Sequence, residues 1–130
     1  MKLGNQNDMH AAIYALHCSG RGPHQWQRLR EIAGRRVYAP SLLARPPKAT
    51  APFQLGVESE AIVLDILAGG DPVHLAGHSY GGAVAINIAM RIPDMMRSLS
   101  LYEPAAFHLL DPADDREALA LAETGRSAAA

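Results

Sequence analysis

The chain has 130 residues, enough for one domain and no more. With 48% hydrophobic and 19% charged residues, it has an ordinary globular composition, which excludes disordered and fibrous classes. A net charge of −1 and scattered basic residues provide no field to draw nucleic acid or an anionic membrane surface.

Residues 1–10 are polar and read as an N-terminal extension without the apolar core or cleavage pattern of a signal peptide. Residues 11–16 (AAIYAL) form a short apolar run that ends in His17-Cys18-Ser19-Gly20. They read as a buried strand feeding a glycine-bearing loop. Cys18 is the single cysteine, so no intrachain disulfide can form. It reads as a small buried filler, since nothing nearby in sequence activates it. Residues 24–33 place Trp26, Leu29 and Ile32 at spacing three, as on one side of a helix, with Gly34 as its stop. Residues 36–39 read as a second strand closed by Pro40. Residues 41–54 carry Pro46, Pro47 and Pro52 and read as an extended surface loop.

Residues 57–68 suit a helix whose apolar face is Val57, Ala61, Leu64 and Ile66/Leu67, with Glu58, Glu60 and Asp65 elsewhere. Gly69-Gly70 ends it, and Asp71-Pro72 turns the chain into a third strand over residues 73–76. Residues 79–91 then read as a helix apolar around most of its circumference, hence buried on more than one side. Pro93 stops it. Residues 98–102 form a fourth strand, and Asp111-Pro112 opens a last helix before a frayed tail. The core is placed at residues 11–110, with the C-terminal helix and tail at 111–130. Alternating strands and helices imply right-handed crossovers and a parallel sheet covered on both faces. Ligands of such sheets sit at the carboxyl ends of the strands.

Gly77-His78-Ser79-Tyr80-Gly81 falls at such a place, after a strand and at the start of a helix. The G-x-S-x-G spacing alone is weak: at ordinary glycine and serine frequencies it arises by chance in roughly four of a hundred chains this long. A plain glycine turn with a serine N-cap would carry the same letters. The context adds a mechanism. A sharp strand-to-helix turn lifts the serine hydroxyl above the sheet, and Gly77 and Gly81 give the two backbones room to approach.

Residues 73–104 (VHLAGHSYGGAVAINIAMRIPDMMRSLSLYEP) are similar to the nucleophile region of α/β-hydrolases. LHCSGRGPHQW, residues 16–26, resembles that family's oxyanion loop, and VYAPSL, residues 37–42, its next strand. The resemblance covers about residues 11–110. It implies an α/β fold: a three-layer sandwich with a mostly parallel sheet, here an incomplete α/β-hydrolase core. It implies Ser79 as nucleophile toward an ester or similar acyl bond, and backbone N–H donors from Tyr80 and Ser19 for the oxyanion. On the same resemblance His17 shapes the loop and His78 is structural. Cys18 departs from the family's pattern, standing where a glycine usually follows the histidine. Ser41 is a second departure, at a place where relatives often carry Asp.

The family's chain order is serine, acid, histidine. Of the acids after Ser79, only Glu103 falls at the end of a predicted strand, and His108 is the single histidine beyond the elbow. They are the candidate acid and base; a solvated Glu103 and a packing His108 are the bland alternatives. The family's histidine follows a last strand that this sequence does not contain. The expectation is therefore a C-terminally truncated hydrolase, active either through an unusual triad or as part of a longer parent, or a catalytically incomplete homologue that binds or does nothing. Without the continuing sheet, residues 98–102 present an apolar edge, and part of the helix over 79–91 is left exposed, which points to self-association. The expected partner is otherwise a small acyl substrate, with no nucleic acid, membrane, cofactor or metal. The expected location is the cytoplasm. Dehalogenase chemistry is excluded because it wants a carboxylate at position 79. A dinucleotide site lacks its G-x-G-x-x-G spacing.

Overall fold

The computed structural model describes residues 10–42 and 55–105. Four strands, β1 (Ile13–Leu16), β2 (Val37–Tyr38), β3 (Val73–His78) and β4 (Met96–Tyr102), form one parallel sheet in the order β2-β1-β3-β4. Three helices connect them: α1 (Gln27–Ile32), α2 (Leu55–Gly69) and α3 (Tyr80–Arg91). The chain moves one way from β1 to β2, then back across β1 to β3 and onward to β4. Right-handed crossovers in opposite directions put their helices on opposite faces. Helices α2 and α3 accordingly share one face, against Tyr14, Leu16, Val73 and Leu75. Trp26 and Leu29 lie on the other face, lining a groove with Ile13, His74 and Ala76. The strand order reverses between β1 and β3, and the loop after β1 and the turn after β3 meet at their carboxyl ends.

The core joins Leu16 and Leu75 of the sheet to Ile66 of α2 and Val84 and Ile88 of α3, all essentially inaccessible to solvent. Each such side chain contributes about 1.5–3 kcal/mol of burial energy. Strand β3 runs two residues past the expected end, because it is paired on both sides. Gly77 matches Leu16 and Leu101, and His78 matches Tyr102. Strand β2 is shorter than expected, with only Val37 and Tyr38 in the ladder.

Two helix faces differ from the sequence expectation. In α2 the buried positions are Glu58, Ser59, Ile62, Val63 and Ile66, while Val57, Ala61, Leu64 and Leu67 face solvent. The helix carries two apolar stripes at helical spacing, and periodicity alone cannot choose between them. In the first crossover, Pro23–Trp26 is a 3-10 turn that leads into only six α-helical residues, and Ile32 is exposed. Strict spacing of three falls short of one α-helical turn by about 60° each step, so Ile32 rotates away from the face that Trp26 and Leu29 share. The stops hold: Gly34 and Gly70 adopt φ 65° and 80° just past α1 and α2. In helix α3, Tyr80, Val84, Ala85 and Ile88 are buried and Met90 is exposed. On β4, Leu99, Leu101 and Tyr102 are exposed.

Candidate active site

Ser79 stands alone between β3 and α3 with φ 54° and ψ −115°. A non-glycine residue in that region carries strain of about 1–3 kcal/mol and persists only when its surroundings hold it. They do. The Ser79 N–H donates to the Tyr102 carbonyl at 3.1 Å, and its carbonyl accepts the N–H groups of Ala83 at 3.1 Å and Ala105 at 2.9 Å. Ser79 occupies the N-cap position of α3, yet its side chain makes no capping hydrogen bond. A serine placed there merely to cap would be expected to bond its hydroxyl to the first turn.

The flanking glycines are dictated by contact. A Cβ on Gly77 would collide with the Gly81 carbonyl group and approach Gly82 Cα to 2.8 Å. A Cβ on Gly81 would collide with the Leu16 carbonyl and reach the His17 carbonyl oxygen at 2.6 Å. Both clashes are with backbone, which cannot swing aside. The first turn of α3 is thereby wedged against the end of β1, bringing Tyr80 and Gly81 beside the loop that starts at His17. Tyr80 opens α3, where N–H groups point toward the helix's N-terminal end.

That loop is held peptide by peptide. His17 is fully buried. Its Nε2 accepts the Leu42 N–H at 2.8 Å, so Nδ1 carries the hydrogen and donates to the Cys18 carbonyl at 2.7 Å. The same carbonyl accepts the Arg21 N–H at 3.3 Å. In a planar trans peptide the N–H lies opposite the C=O, so fixing the Cys18 carbonyl fixes the direction of the Ser19 N–H. The preceding peptide is fixed too: the Cys18 N–H donates to Gln25 Oε1 at 3.0 Å. Replacing His17 by Phe keeps the ring's bulk but leaves the buried Leu42 N–H and the Cys18 carbonyl without it. We expect a loss of about 2–4 kcal/mol in a urea unfolding series.

Two tyrosine–carboxylate bonds tie β1 and α3 to α2. Tyr80 Oη donates to Glu58 Oε1 at 3.2 Å, and Tyr14 Oη donates to Asp65 Oδ2 at 2.5 Å. Burial first, then the neighbouring carboxylate, raises the pKa of both phenols above the ordinary value of 10.0. A folded-state pKa raised above the unfolded one contributes stability below about pH 10 and loses it as pH rises toward the folded value. Alkaline unfolding should therefore coincide with ionisation of Tyr14 and Tyr80. In a combined absorbance and circular dichroism titration, the variant Tyr14→Phe/Tyr80→Phe should lose the phenolate step that accompanies unfolding.

Glu103 follows β4 at φ 43°, exposed, between Tyr102 and Ala105, which both bond to the Ser79 backbone. His108 and the helix expected from Asp111 lie outside the described residues. Cys18 is half-exposed, contrary to the expected buried filler, because its loop stands above the sheet and not within the core. His78 is structural in its contacts: its ring packs on Tyr102 with centroids 4.9 Å apart, and Nδ1 accepts from Gln25 Nε2 at 2.5 Å. Among the described residues no group of His, Cys, Asp or Glu is placed to hold a metal ion, and no helix is long and apolar enough to cross a membrane. Two residues of the site escaped sequence reasoning. Gln25 is only a letter of the loop motif, and Glu58 lies off the apolar face that the sequence predicts for its helix.

The sequence matches the model of the Alpha/beta hydrolase family over residues 13–130. It is 34% identical over 99 residues to lipase LipV of Mycobacterium tuberculosis, covering 73% of this chain and 38% of that protein. It is 35% identical over 99 residues to 2-hydroxymuconate semialdehyde hydrolase of Pseudomonas sp., covering 68% of this chain and 35% of that protein. Among solved structures it is similar to the monoacylglycerol lipase of Paleococcus ferrophilus. The TM-score is 0.62 and the identity 26%, over 72% of this chain and 38% of that one. The chain thus spans little more than a third of the length of these curated relatives.

Proposed function

This chain belongs to the alpha/beta hydrolase family, and from that premise we propose that it is a serine hydrolase in which Ser79 attacks an ester or similar acyl bond. The observation that carries the reading is the backbone of Ser79: φ 54° at the joint of β3 and α3, with the hydroxyl not used as a cap. Attack by Ser79 Oγ on the acyl carbon forms the new C–O bond and puts negative charge on the carbonyl oxygen. The Tyr80 and Ser19 N–H groups receive that charge, helped by the positive end of α3. Two held donors of this kind are together worth several kcal/mol of barrier, since removing one costs about 2.7–4 kcal/mol. The proton of Ser79 goes to a histidine base oriented by an acid. Glu103 is the candidate acid and His108 the candidate base. The lipase name of one relative fits an ester substrate, and the apolar residues Ala105, Phe107, Leu109 and Leu110 in the sequence fit an apolar acyl or aromatic group.

A second reading is favoured by one observation. His17, His74 and His78 each bond to a group other than Ser79: Cys18 and Leu42, Ser98, and Gln25. A chain without a working base would keep the elbow and bind an acyl ligand without turning it over. Hydrolysis of a p-nitrophenyl ester separates the two. The first reading expects turnover that rises with pH as the histidine loses its proton, and none above background for Ser79→Ala. A rate flat from about pH 5 to 8 removes the histidine base, and rates equal for the two proteins remove the nucleophile.

A further inference from the structure

We propose that Gln25 is the positioning residue that couples the loop after β1 to the elbow after β3, a role that rests on the reading of Ser79 above. One side chain reaches both halves of the site. Its Oε1 accepts the N–H of Cys18 at 3.0 Å, and its Nε2 donates to Nδ1 of His78 at 2.5 Å. Cys18 directly precedes Ser19, and His78 directly precedes Ser79. The two anchored residues are 60 apart in the chain and lie just past Leu16 and Gly77, the last pair of the β1–β3 ladder, so the bridge spans the two segments where the ladder ends. The geometry uses the particular chemistry of a primary amide, which accepts on one atom and donates on the other at fixed separation. Glutamate cannot donate, and asparagine is one methylene short.

The bridge is braced at both ends. On the loop side, the next peptide is locked by His17 through the Cys18 carbonyl, so the two peptides bounding Cys18 are fixed in turn. On the elbow side, the His78 ring packs on Tyr102, whose carbonyl takes the Ser79 N–H. With Nδ1 accepting from Gln25, His78 carries its hydrogen on Nε2. Gln25 itself sits on the 3-10 turn Pro23–Trp26, whose fixed backbone aims the side chain across the end of the sheet. Gln25 touches no reacting atom. It sets the distance between the Ser19 donor and the Ser79–Tyr80 pair, a spacing to which oxyanion stabilisation is sensitive.

The test uses the full chain and the variants Gln25→Ala and Gln25→Asn, with a fluorophosphonate as probe. The limiting rate of labelling at Ser79 should fall roughly 10–100-fold in both variants, with the half-saturating concentration and the final labelled fraction unchanged. A merely structural lesion would lower the labelled fraction in step with the folded fraction instead. His78→Ala should match Gln25→Ala, and the double variant should be no slower than either single one. Wild-type rates in Gln25→Ala would overturn the role of Gln25 while leaving Ser79 as nucleophile. If the wild-type chain takes no label, the Ser79 reading fails, and amide and imidazole NMR still decides the bridge. Gln25→Ala must then shift the Cys18 and Ser79 amides together and release His78 from its Nε2–H form. A shift confined to the loop would overturn it.

Discussion

Gly81→Ala is expected to lower stability by about 3 kcal/mol or more, at the upper end of what one added methyl costs in a packed interior. The new Cβ would meet two carbonyl groups at the end of β1, those of Leu16 and His17. Neither is the tip of a flexible side chain. To admit the methyl, α3 must back away from β1 or the strand end must bend, and both movements disturb buried neighbours. Leu16 pairs with Gly77, and His17 holds both Leu42 and Cys18. A domain of this size has only about 5–15 kcal/mol to lose, so the variant should unfold at markedly lower urea and lose its Ser79 reactivity even where folded. Gly20→Ala is the control. A Cβ there meets nothing within 4 Å, and its midpoint should move by no more than about 0.5 kcal/mol. Equal midpoints for the two variants would mean that α3 is not wedged against β1.

The sequence carried the order of elements and the place of the elbow because both are written locally. Short apolar runs alternate with helical spacing, and Gly77 to Gly81 bring their own steric reason to be glycine. What it could not carry is which of two stripes a helix buries. Val57, Leu64 and Leu67 obey the helical period as well as Ile62 and Ile66 do, and the choice is made by the sheet and by the Glu58–Tyr80 bond. It was also silent on the groups that connect distant segments. Gln25 meets His78 across 53 residues, and Tyr14 meets Asp65 across 51. Such pairs have no local signature. The loop-shaping part of His17 follows from the resemblance alone; its two ring bonds supply the physical reason. The truncated β-ladder of Val37 and Tyr38 shows the same limit, since a run of strand-forming residues does not say how many will find partners.

The most direct measurement is peptide mapping of the chain after exposure to a fluorophosphonate. A neutral, unactivated serine reacts slowly, so a stoichiometric adduct singles out one that is held, raised and backed by oxyanion donors. The wild-type chain should carry one phosphonyl group, on the peptide containing Ser79. Ser79→Ala should carry none while retaining its circular dichroism spectrum. An adduct mapped to another residue, or one that persists in Ser79→Ala, would contradict Ser79 as the nucleophile.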